Sequence, residues 1–212
     1  MMIEYSIIEL KDSFVTLGLN DTTGKEFLIN KGNYSNDDIK QVIDYILAYI
    51  KSSDIKINNK ETISCGSWLI QFIYDNTYIK LYELKDVNSN TGENIFEFDL
   101  SITIDLYKRQ FELCKLESVE PLIPRINQKI AISNNIYEGA EVNGVRYEAP
   151  EHMSGWYLTS NDYNGDINTL SVDYLFYIIK ARPELIKFLA LPVGFRFYID
   201  SKSSEIWKDE DI

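Results

Sequence analysis

Apolar residues recur along this chain at two different periods, and the changes between them mark its elements. Residues 3–10 and 13–19 read as strands around the break Lys11-Asp12, and 26–29 as a third after the turn Asp21-Thr22-Thr23-Gly24. The period then becomes helical. Ser35-Asn36-Asp37-Asp38 supplies a cap and an acidic first turn, and Ile39, Val42, Ile43, Ile46, Leu47 and Ile50 follow on one stripe, predicting a helix over 37–52. Residues 62–84 read as a long hairpin turning at Asp75-Asn76 and rich in aromatic and β-branched residues. A polar loop over 85–93 leads to a further strand at 95–104 and a helix at 105–118.

The prolines of Glu120-Pro121-Leu122-Ile123-Pro124 disfavour helix and interrupt a sheet, so they suggest a boundary between a part over 1–120 and a part over 125–212. Beyond it the pattern predicts a strand at 129–133, a loop-rich stretch at 134–150, a strand at 155–159 and a helix at 170–180. Pro183 opens a short helix to 189, and a strand at 193–199 pairs with 205–207 across Asp200-Ser201-Lys202-Ser203. Irregular alternation with hairpins favours an α+β fold, with antiparallel sheets, a few packed helices and two sequential parts, over a doubly wound parallel sheet.

Composition narrows the function. The 212 residues are 45% hydrophobic and 25% charged, the range of ordinary globular proteins. No apolar run approaches the roughly 20 residues of a membrane span, and the first residues lack the basic and apolar regions of a secretory signal, so a cytoplasmic protein is expected. The net charge of −12 disfavours nucleic acid and anionic lipid as partners, and it favours basic proteins where it is more than a solubility device. Cys65 and Cys114 read as reduced core thiols. With His152 the single imidazole, neither a nucleophile–histidine pair nor a Cys/His metal site is easily built.

Other chemistry is equally sparse. No glycine-rich phosphate loop and no Gly-x-Ser-x-Gly elbow occurs. Asp162, Asn164, Asp166, Asn168 and Asp173 have the spacing of a calcium loop. Ile167, however, stands where that loop turns on glycine, and Asp replaces the terminal Glu, so a plain loop with a helix cap is the reading preferred. Glu117 with Glu120, or Glu148 with Glu151, can be drawn as an acid/base pair, but in a chain with 33 acidic residues such neighbours carry no weight. Tyr137, Tyr147, Trp156, Tyr157 and Tyr163 cluster in the second half, as in an aromatic interface or an aromatic-rich β core.

Several elements of this half resemble a bacterial immunity-protein family, number thirty-three of that nomenclature and formerly a domain of unknown function. They are Ile130-Ala131-Ile132-Ser133, Val145-Arg146-Tyr147-Glu148-Ala149-Pro150, Ser154-Gly155-Trp156-Tyr157-Leu158-Thr159-Ser160, Arg182-Pro183-Glu184 and Leu191-Pro192-Val193-Gly194-Phe195-Arg196-Phe197. The resemblance spans about 129–207 and departs at 161–168, where a more acidic segment is expected. It implies a cytosolic antidote that binds and inactivates a cognate protein toxin without catalysis, cofactor or metal. Basic toxins suit this acidic chain best. The residues expected on the partner face are Tyr147, Glu148, Asp162, Tyr163 and Asp166, with Trp156 either on that face or in the core. A scaffold protein of another pathway, and a small-ligand protein or enzyme, remain the alternatives.

Overall fold

The computed structural model describes residues 3–53, 55–88, 90–139 and 141–212. Ser89 and Ala140, within the two predicted loops, lie outside them, as do Asp54 and the terminal Met1-Met2. The fold is α+β, in two compact units, Met1–Asp105 and Leu106–Ile212, each described by itself.

In the first unit, β1 (Ser6–Glu9), β2 (Ser13–Leu17), β3 (Glu26–Asn30), β4 (Thr62–Cys65), β5 (Trp68–Tyr74), β6 (Tyr78–Val87) and β7 (Asn94–Glu97) form one sheet in the order β1-β2-β3-β6-β5-β4. The ten-residue β6 pairs with β3 near its start and with β7 near its end. Helix α1 (Asn20–Thr23) sits between β2 and β3, and α2 (Asn36–Ser53) follows β3. The helical stripe of α2, including Ile39, Ile43 and Ile46, is buried in one cluster with Phe27, Ile29, Ile70 and Phe72 of the sheet. Its start is a capping box: the Ser35 hydroxyl accepts the Asp38 amide at 3.3 Å, and the Asp38 carboxylate accepts the Ser35 amide at 2.8 Å.

The second unit holds β8 (Lys129–Ile132), β9 (Val142–Arg146), β10 (Met153–Thr159), β11 (Ser171–Tyr174), α4 (Leu175–Ala181), β12 (Phe195–Ile199) and β13 (Ser204–Lys208), with sheet order β11-β8-β10-β9-β12-β13. Helix α3 (Ser101–Leu116) contains the division between the units. Segment 120–124, where the prolines suggested the boundary, is irregular, and Leu122 donates its amide to the Ala190 carbonyl at 2.7 Å.

Several sequence expectations need correction. Both sheets are mixed, since β3 runs parallel to β6 and β8 parallel to β10. The hairpin predicted over 62–84 is two hairpins, because the chain also turns between Cys65 and Trp68. The strand predicted over 95–104 stops at Glu97. Glu83 of β6 accepts the Ile102 amide at 3.0 Å and the Thr103 amide at 2.8 Å, starting α3 where the local pattern still alternated. Stretch 134–150 is not all loop. It contains β9, whose Asn143 and Gly144 weaken its strand signal. The helix predicted from 170 begins at Leu175, because residues 171–174 are recruited as an edge strand along β8.

Candidate functional site: the outward face of the C-terminal sheet

Burial alternates along the central strands of the second unit and separates two faces. Inward, Trp156 and Leu158 of β10 meet Phe197 of β12 and Phe188, all fully buried. The Phe197 ring lies 5.3 Å from Trp156 and 4.5 Å from Phe188. Gly144 makes this possible, because a Cβ there would lie 2.1 Å from the Phe197 ring. The Trp156 indole donates to the Leu189 carbonyl at 2.9 Å and is 0% exposed. Trp156 is therefore a core residue and presents no area to a partner. Gly155 before it has φ of +80°, at the point where the β8–β10 register shifts, and a Cβ would lie 2.4 Å from the Tyr147 carbonyl oxygen.

Arg146 is the inward-facing charge of β9, only 4% exposed. Its guanidinium donates to four carbonyls: Ser154 at 3.1 Å, Leu122 at 2.5 Å, Leu189 at 3.2 Å and Leu191 at 2.6 Å. It also lies 5.7 Å from the centroid of the Trp156 ring. Burial lowers its pKa to about 10, which leaves it cationic at neutral pH. The side chain thus clamps segment 120–124 and the turn 188–190 onto the sheet. In the sequence Arg146 stands out only as part of a motif. A charged residue at an inward position of a strand was the available signal.

The outward face is different. Pairing places Val172, Ala131, Tyr157, Val145, Arg196 and Trp207 in one row across the six strands. Tyr198 shares this face from the neighbouring row, opposite Glu205. Tyr147 follows Val145 by two residues, and its ring meets Tyr157 edge-on at 5.3 Å. Trp207 is 42% exposed, Tyr147 39% and Val172 56%, while Tyr157 and Tyr198 are partly exposed. The cation in the row is engaged: Arg196 Nε donates to Asp209 Oδ2 at 2.6 Å. The Asp211 amide and Arg196 hold the Asp209 carboxyl below the usual range.

The predicted partner residues therefore divide into two groups. Tyr147 and Glu148 lie where β9 ends, beside the start of β10, whereas Asp162, Tyr163 and Asp166 follow its far end, about 17 Å along the strand. Tyr147, Glu148, Asp162 and Asp166 are exposed, and Tyr163 is partly so. Asp162 accepts from the Asn135 side chain at 3.2 Å and, with Tyr163, Ser133 and Ser160, lines a cleft of about 190 Å³. This is below the roughly 300–1,000 Å³ of typical small-ligand sites. Asp166 caps the turn that follows by accepting the Asn168 amide at 3.0 Å, and Asp173 accepts from the Tyr137 hydroxyl at 2.5 Å. These carboxylates serve separate local hydrogen bonds, and no cluster able to hold a metal occurs among the described residues. Sequence reasoning missed Tyr198 and Trp207. The pairing of 193–199 with 205–207 was legible, but the register that sets both on this face belongs to the assembled sheet.

Other chemistry-bearing groups have structural partners. His152 is exposed, and its carbonyl accepts the Lys129 amide at 2.9 Å. In the first unit, a groove of about 460 Å³ lies between residues 3–5 and α2. Its Asp44 accepts from the Tyr5 hydroxyl at 2.8 Å and from Lys40 at 2.6 Å. Glu26 is buried and accepts from the Thr16 hydroxyl at 2.7 Å and the Gly18 and Leu19 amides at 2.9 and 3.0 Å, fixing the turn into α1. Burial pushes the Cys65 thiol up and the Cys114 thiol up to about 11, so neither is a ready nucleophile. No helix among the described residues is long and apolar enough to cross a membrane.

Residues 109–209, just under half of the chain, match the model of the Imm33-like domain. The match starts inside α3, about 20 residues before the first motif that suggested the family from sequence. No curated protein and no solved structure matches the chain.

Proposed function

We propose, with the Imm33-like C-terminal part as premise, that this chain is a bacterial immunity protein that neutralises a cognate protein toxin by binding it in the cytoplasm, without catalysis. The observation that carries this reading is the family match over 109–209. The site supports it. The second unit offers an exposed aromatic sheet face, while Asp162, Asp166, Asp173 and Asp209 are taken up in local hydrogen bonds, capping and an ion pair. An interface needs only complementarity and rigidity from such a surface. The net charge of −12 adds steering toward a basic partner.

Co-expression with the toxin encoded by the adjacent gene tests the proposal. The expected result is protection of the cell together with recovery of a complex whose association slows as salt is raised. Cells that die despite normal levels of the chain would refute the function. A complex that forms at the same rate at all salt concentrations would refute the electrostatic contribution.

A further inference from the structure

The outward face of the C-terminal sheet combines two features, exposed rings and unpaired carboxylates. Tyr157, Tyr198 and Trp207 lie on this face in strands β10, β12 and β13 and Tyr147 just beyond the end of β9, with Val145 and Val172 on the same surface. Exposed apolar area of this kind on a sheet face marks a place where another molecule docks. Around it stand carboxylates. Glu148 follows Tyr147, Glu205 pairs opposite Tyr198, and Asp211 lies just beyond β13, and none of the three has an ion-pair partner among the described residues. The cation within the row, Arg196, is neutralised by Asp209. The rings thus flank the middle of the face, Tyr147 with Tyr157 on one side and Tyr198 with Trp207 on the other of Val145 and the neutralised Arg196, and unpaired negative charge stands at the margin. Lysine and arginine side chains fit both, stacking on the rings and pairing with the rim.

We infer that this face, centred on Trp207, Tyr198, Tyr157 and Tyr147, is the docking surface for a basic patch of a protein partner, and this rests on the immunity reading given above. It departs from the loop-based partner face expected from sequence. The strand face, and not the Asp162–Asp166 loop or Trp156, carries the contact. Because strands hold Tyr157, Tyr198 and Trp207, and the Tyr147 amide is bonded to the Gly155 carbonyl, little ordering entropy is lost on binding, which suits a tight inhibitor.

The probe is the toxin domain from the adjacent gene, inactivated by mutation, with binding to the full chain followed by biolayer interferometry. Trp207→Ala should weaken binding about 30-fold or more, as for a large exposed aromatic anchor. Tyr147→Arg, which places a cation on the face, should slow association at low salt. Tyr177→Ala provides the control, since Tyr177 is an exposed aromatic on α4, away from the sheet face, and its loss should leave affinity unchanged. Circular dichroism on each variant separates lost folding from lost binding, and Tyr147→Arg still decides the matter if Trp207→Ala misfolds. Wild-type binding that both face variants retain within threefold would overturn the face while leaving the immunity reading standing. Failure of the wild-type chain to bind would remove that reading and the face with it. A wild-type dimer that Trp207→Ala dissociates would assign the face to a second copy and overturn the proposal.

Discussion

One amphipathic helix of 18 residues covers the sheet of Met1–Asp105, whereas Leu106–Ile212 packs with the greater part of α3, the seven-residue α4, short turns and a buried arginine. The two units also differ in charge. The first has 17 acidic residues against 9 basic, the second 16 against 12. The Imm33-like match falls entirely in the less acidic unit. Acidity alone therefore does not set the Imm33-like part apart from the rest of the chain. Their sheet faces differ as well. In the first unit the corresponding outward row runs Ile8, Val15, Leu28, Lys80 and Ile73, with its rings in the neighbouring rows, where Tyr78 and Tyr82 flank Lys80 and Tyr82 meets Phe98 at 5.3 Å. In the second, the row itself carries two rings, Tyr157 and Trp207.

The comparison breaks most sharply at Trp156. Trp156→Ala should cost about 3–5 kcal/mol in a urea denaturation experiment, since it empties the space between Phe197 and the turn at 188–190. A cost near zero would mean that the indole is not in the core. Next comes Arg146→Met, which keeps the bulk and removes the donors. Each buried carbonyl left without a partner costs about 1–3 kcal/mol, so a loss of about 3 kcal/mol or more is expected. A neutral result would show that the clamp is dispensable.

In the first unit the sensitive group is a carboxylate. Burial raises the pKa of Glu83 above the usual carboxylate range, against the opposing pull of the Thr103 and Ile102 amides. With the folded-state value the higher one, its favourable contribution is present below the unfolded value of about 4.3 and is lost as pH rises through the folded value. Glu83→Gln cannot ionise, so its stability should fall less than that of the wild type from about pH 4.3 upward. Parallel curves would contradict the shift. The smallest effect concerns the thiols. Neither Cys65 nor Cys114 should react with a thiol reagent in the native chain, and both should react in denaturant.

Sequence reading reached the parts that local chemistry determines. The α2 stripe and its Ser35 cap were legible because period and capping agree, and the Asp75 turn because its carboxylate accepts the Thr77 and Tyr78 amides at 2.8 and 2.7 Å. It failed where a distant partner decides. Glu83 starts α3 from another strand, β8 recruits residues 171–174, and β9 is held between β10 and β12 despite Asn143 and Gly144. The candidate site was half legible for the same reason. Tyr147 and Glu148 were visible from their motif, but the face that Tyr147 shares with Tyr198 and Trp207 exists only once the strands are in register.

The most direct test of capture without chemistry is a titration of the chain into its active toxin, with residual toxin activity and intact mass both recorded. Inhibition should become complete at one equivalent of chain, and denaturing the complex should return toxin of unchanged mass. Complete inhibition at a small fraction of an equivalent, with a toxin of altered mass, would contradict it.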